Sequence, residues 1–119
     1  MAKATENLAV AEWAYENGHY NASANRTYAA FQAAIAALAN AGIIQSSRVS
    51  HSAAQSLFAA ELIRRRKLYP SHLKSYLPDL QRVRDDADYE LRSVSKRETL
   101  KQFKKAKEFV ETIAKEIQK

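Results

Sequence analysis

Asn17-Gly18-His19-Tyr20-Asn21-Ala22-Ser23-Ala24-Asn25-Arg26-Thr27-Tyr28-Ala29-Ala30-Phe31 contains one helix end, one helix start and the first turns of the most alanine-rich part of the chain. Asn17-Gly18 closes a helix expected from about Thr5, because glycine takes the left-handed cap without penalty. Asn21 is a good N-cap and predicts a second helix from there to about Ala41, where Gly42 ends it. Ala24, Tyr28, Phe31, Ile35 and Leu38 recur at spacings of three and four, a single apolar stripe. In the first helix Leu8, Ala11 and Tyr15 form the matching stripe, with Val10 and Trp13 beside it. Two amphipathic helices joined by so short a link read as antiparallel neighbours.

The same periodicity continues downstream. Residues 43–50 read as a loop. A third helix is expected from about Ser52 to Arg65, with Leu57, Phe58 and Leu62 facing in. After a loop containing Pro70, a fourth begins near Leu77, since Pro78 is tolerated in a first turn. It carries Leu80, Val83, Ala87 and Leu91. The fifth has the clearest start: in Ser95-Lys96-Arg97-Glu98 the serine hydroxyl can accept from the Glu98 amide while the glutamate reaches back. Leu100, Phe103, Val110, Ile113 and Ile117 form its inner face. The expected fold is all-α, an antiparallel bundle of about five helices forming one domain over residues 1–119.

Composition supports this and narrows the chemistry. Two glycines and two prolines in 119 residues are too few for a turn-rich β-sandwich or a glycine-rich dinucleotide loop. With no cysteine there is no disulfide, thiol nucleophile or cysteine-zinc site, and three histidines leave little for a metal. Neither a metal nor a cofactor is expected. No apolar run reaches the ~18 residues of a membrane span. Met1 to Glu6 has no signal-peptide core, so the expected location is cytoplasmic, without a membrane partner. Fifteen of 22 alanines precede Gly42, which suggests helices in close approach. The net charge of +6 lies wholly in the second half: residues 1–60 hold three basic and three acidic side chains.

Three segments together carry a family resemblance. The stretch quoted above, with its Asn25-Arg26-Thr27-Tyr28-Ala29-Ala30-Phe31 run, resembles the start of the second helix of the HEPN domain family. Ser50-His51-Ser52 leading to Leu57-Phe58, and Arg84-Asp85-Asp86-Ala87-Asp88-Tyr89, resemble the family's third and fourth helices. The resemblance covers about residues 5–117. It implies a short antiparallel bundle, commonly a homodimer paired through the second and fourth helices. It also implies a cytoplasmic prokaryotic protein acting beside a minimal nucleotidyltransferase as toxin and antitoxin. Active members are metal-independent ribonucleases whose motif is an arginine, a polar residue, a short spacer and a histidine.

In this chain the motif's arginine maps to Arg84 and its polar neighbour to Asp85, but the histidine position falls on Tyr89, or on Asp88 with a shorter spacer. No histidine follows His72. A tyrosine with an ordinary pKa near 10 is a poor base at neutral pH. Arg84, Asp85 and Tyr89 are thus the candidates for catalysis if any occurs; the plainer alternative pairs Arg84 with Asp88 along the helix. His51 matches a capping or packing position. Arg26, with Asn25, sits on an otherwise apolar helix and must face solvent or reach an acid such as Asp85, Asp86 or Asp88. Arg64-Arg65-Arg66, with Lys67 and the lysines at 101, 104, 105 and 107, forms either a phosphate-binding surface or a solvated helix end. The expected function is that of a HEPN-like partner of a minimal nucleotidyltransferase, binding nucleotide or RNA through Asn25, Arg26 and the Arg64–Arg66 run rather than cleaving it. A degenerate ribonuclease toxin and a scaffold that binds no nucleic acid are the alternatives.

Overall fold

Residues 1–46, 48–89 and 94–119 are described by the computed structural model, with side chains for the same residues except 86–89. The helices are α1 (Ala2–Glu16), α2 (Tyr20–Arg26), α3 (Ala29–Asn40), α4 (His51–Leu57), α5 (Tyr76–Tyr89) and α6 (Lys96–Ile117). A π-helical segment, Phe58–Arg65, continues α4, and a 3-10 turn, Ser71–Ser75, leads into α5. There is no strand among the described residues. With α2 and α3 taken as one bent arm, and α4 with its π segment as another, the expected five-helix all-α bundle is present. No helix among the described residues is long and apolar enough to cross a membrane.

The core lies where α1 and α3 meet α6. α3 offers Ala29, Ala30, Ala33, Ala34, Ala37 and Leu38; α6 answers with Ala106, Phe109, Val110 and Ile113. Small side chains on one helix let the larger ones of the other seat against its backbone, keeping density high. Phe109 packs at a tilt against Phe58, which in turn meets Tyr69, at centroid distances of 5.1 and 5.3 Å. α6, at 22 residues and about 1.5 Å per residue, runs most of the 39 Å long axis. Its start is as expected on one side: the Ser95 hydroxyl accepts from the Glu98 amide at 3.1 Å. The Glu98 side chain accepts from Gln102 rather than reaching back.

Four details differ from the sequence reading. α1 begins at Ala2, and its buried stripe is Ala4, Ala11 and Ala14, while Trp13 is 58% exposed. Asn21 does not cap α2; its Oδ1 accepts from the Val94 amide at 2.8 Å and ties the start of α2 to that of α6. The second arm breaks at Thr27 and Tyr28, whose amides reach only three residues back, to Ala24 and Asn25. In the third arm burial passes from Phe58 to Leu62 and Ile63, the wider spacing of a π turn. That arm ends with Lys67 in the left-handed region (φ 53°), which brings the Leu68 amide onto the Leu62 carbonyl at 2.9 Å.

Asp79 fastens α5 to α6. Its carboxylate accepts from Lys105 Nζ, from Arg82 at 3.0 Å and from Gln102 at 3.4 Å. Desolvation alone would raise its pKa. The hydrogen bonds from Lys105 and Arg82 and the lysine charge outweigh that and hold it at about 2. A carboxyl held below its unfolded value contributes stability above about pH 4, and the contribution fades as pH falls toward 2. Asp79→Asn is expected to cost about 1–2 kcal/mol at pH 7, a figure reduced for solvent screening. Urea unfolding of both proteins at pH 7 and pH 2 should show most of the gap closed at the lower pH.

Candidate functional site

The break in the second arm is made by hydroxyls. Thr27 is buried and its Oγ1 donates to the Ala24 carbonyl at 2.5 Å, while the Ser23 hydroxyl donates to Ala11 of α1 at 2.7 Å. A threonine that bonds back into its own turn bends a helix. On an unbroken helix, residues two apart point in different directions. Here Arg26 and Tyr28, on either side of the bend, line one open cleft of about 560 Å3 with Asn7, Asn25, Gln32 and Arg84.

Both arginines in this cleft are held by neutral groups. Arg26 donates to Asn7 Oδ1 at 2.8 Å, and Asn7 Nδ2 donates to Gln32 Oε1 at 2.7 Å. The Arg84 guanidinium lies 4.7 Å from the centre of the Tyr28 ring, a cation–π contact, and donates to Gln81 Oε1 at 3.3 Å. Its Nε is buried with no hydrogen-bond partner among the described residues. Neither arginine meets a carboxylate among the described residues. Asp85, adjacent to Arg84, accepts instead from Gln81 Nε2 at 2.9 Å. Among the described residues, therefore, no carboxylate offsets the two positive charges that face the cleft.

Gln81 also fixes a histidine. Arginine can only donate and an ionised aspartate can only accept, so Gln81 must turn Oε1 to Arg84 and Nε2 to Asp85. His51 Nδ1 lies 2.5 Å from that same Oε1 and must therefore carry the proton. The imidazole is wedged against Phe31, ring centres 4.1 Å apart, and Tyr28, 5.6 Å apart. Its Nε2 is left to accept or to be protonated. His51 sits just past Ser50, which caps α4 by accepting from the Ala53 amide.

The sequence candidates fall into three groups. Asn25, Arg26, Arg84 and Asp85 are at or beside the cleft. Arg26 is exposed, the first of its two expected alternatives, and donates to Asn7 on α1 rather than to Asp85. The side chains of Asp86, Asp88 and Tyr89 lie outside the described residues; Arg84 itself is engaged with Gln81 and Tyr28. Arg64, Arg65 and Arg66 stand elsewhere, at the end of the third arm. Arg65 pairs with Glu61 at 2.8 Å and Arg66 donates to the Ala41 carbonyl at 3.2 Å. Lys105, grouped with them by sequence, is held by Asp79. Asn7, Gln32 and Gln81 escaped the sequence reading, while His51, read there as a capping or packing residue, packs on Phe31 and Tyr28 beside the Ser50 cap. Only Asn7 had a signal there, a polar residue on the face of α1 that also carries Ala4 and Ala11. Among the described residues no group of three or more histidine or carboxylate side chains is placed to hold a metal.

Gln81→Leu removes the acceptor shared by Arg84 and His51. It should cost about 1–2 kcal/mol in unfolding experiments, the usual penalty for stranded donors. Ring nitrogen shifts of His51 in NMR spectra should show the Nδ1–H tautomer in the parent protein and lose that preference in the variant.

A search of curated proteins finds no match to this chain. Compared with known protein families, residues 1–117 match the HEPN domain. The match spans all of α1 to α6, including the bent second arm and the Gln81–Arg84 turn of α5 at the cleft. On that match and on its all-α bundle, the chain belongs to the HEPN domain family.

Proposed function

We propose that this HEPN domain binds the phosphate groups of RNA or of a nucleotide in the Arg26–Arg84 cleft and does not cleave them. In this reading it is the HEPN component of a two-component, toxin–antitoxin type system with a minimal nucleotidyltransferase, cytoplasmic and homodimeric. The observation that carries it is the pair of guanidinium groups sharing one cleft with no carboxylate between them among the described residues. A phosphate is the ligand such groups suit, through charge and through paired N–H donors.

Binding without cleavage follows from which groups are available. Strand cleavage at a 2′-hydroxyl needs a base near neutrality, and the motif's histidine position holds Tyr89. One observation favours the ribonuclease alternative: His51, from a different helix, meets the same Gln81 oxygen as Arg84. Its Nδ1 proton is committed to Gln81, so only Nε2 remains for chemistry.

Affinity for a single-stranded RNA should fall with salt, and Arg26→Ala and Arg84→Ala should each flatten the log–log slope by about 0.7. Replacing Arg64, Arg65 and Arg66 together should flatten it by at most about two contacts, because Arg65 is already paired with Glu61. RNA incubated with the protein without added metal should stay intact. Cleavage abolished by both Arg84→Ala and His51→Ala would establish the ribonuclease instead. Light scattering at micromolar concentration is expected to give twice the chain mass of 13.4 kDa.

A further inference from the structure

A second cavity, of about 450 Å3, opens beside the arginine cleft. Phe31, Ile35, Ala36 and the N-terminal residues from Met1 to Ala4, the exposed Lys3 among them, line it, and it shares Tyr28 and Gln32 with the cleft. One groove therefore has a half held by two arginines and a half whose wall is mostly apolar, with Lys3 also on its lining. At their junction stands the Gln32 amide, whose orientation is dictated from the cationic side. Arg26 only donates, so Asn7 must turn its oxygen to it. Asn7 Nδ2 is then the donor to Gln32 Oε1, which leaves Gln32 Nε2 with both hydrogens. That nitrogen has no partner among the described residues and is not buried. Along its length the groove offers guanidinium groups, then an amide donor, then an apolar wall.

We infer that this groove holds one whole nucleotide unit, with the phosphate between Arg26 and Arg84 and the base in the apolar half. A hydrogen-bond acceptor on the base edge takes the Gln32 Nε2–H. The inference rests on the anion-binding reading of the cleft and adds a base subsite with Gln32 as its specificity-determining residue. An inorganic phosphate fills only the cationic half, and an aliphatic anion leaves the Gln32 donor unmatched. A nucleobase supplies a flat apolar face and an accepting edge on the same ring. The two cavities fall within the range of sites that hold ligands of this size.

The test compares two ligand pairs by calorimetry. One is uridine 5′-monophosphate against ribose 5-phosphate; the other is tri-uridylate against the same trinucleotide with an abasic middle unit. The base-bearing member of at least one pair should bind about tenfold more tightly. A gap in the first pair marks a free nucleotide as ligand, and a gap in the second alone marks a unit within RNA. Gln32→Glu keeps the acceptor for Asn7 but removes the donor, and Ile35→Asn spoils the apolar wall. Each should bring the ratio within a pair toward one, and the ratio cancels whatever the change does to the phosphate half. Arg26→Ala should weaken both members and leave the ratio in place. Ligands that bind with no gap in either pair would overturn the base subsite while leaving the anion cleft standing. Absence of binding by all four would overturn the anion reading, and the base subsite with it.

Discussion

The bend at Thr27 is the constraint on which the groove depends. A straight helix through residues 20–40 would send Arg26 and Tyr28 to different faces. The Thr27 hydroxyl, bonded to the Ala24 carbonyl in a buried turn, lets the chain restart as α3 with both side chains on one opening. Ser23 sets where the bend falls by fixing α2 to the Ala11 carbonyl. Two buried hydroxyls on an alanine-rich segment thus position a charged residue and an aromatic one at the mouth of the core. The alanines serve the same end, because α3 can bend and still lie close to α6 only where side chains are small.

The bundle itself follows from the apolar periodicity and the stop and start signals, and the chain order of the arms is as read. The bend does not follow from periodicity. A 3-10 step advances about 120° where an α step advances 100°, so two such residues slip the apolar stripe too little to disturb the spacing of Ala24, Tyr28, Phe31, Ile35 and Leu38. The π segment hides in the same way, since Phe58 and Leu62 satisfy either pitch and only the burial of Ile63 separates them. Asn21 misleads because the same residue type serves as a helix cap and as an acceptor for a distant amide. Its partner, Val94, is 73 residues away.

At the site, the charged residues stand out in the sequence and their partners do not. Arg26 is conspicuous on an alanine helix, and Arg84 lies in a run of aspartates. The groups that place them are amides on other elements, Asn7 on α1 and Gln81 one turn before Arg84. An asparagine or glutamine carries no charge pattern, so nothing in one dimension connects it to a particular arginine. The aspartates, by contrast, suggest salt bridges, and at Asp85 the suggestion misleads: its carboxylate is taken by an amide N–H.

That choice of partner has a functional consequence. A carboxylate beside an arginine fixes its geometry and also cancels its charge, leaving little attraction for an incoming anion. An amide oxygen fixes the geometry and leaves the charge in place. Gln81 does this twice over, because its oxygen holds Arg84 while its nitrogen occupies Asp85, the nearest carboxylate in sequence. Asn7 does the same for Arg26. Among the described residues the cleft thus keeps two oriented guanidinium groups with no carboxylate beside them, and Arg84 Nε is buried there without a hydrogen-bond partner. A phosphate oxygen between the two arginines would meet donors already in position, without the cost of breaking an ion pair first.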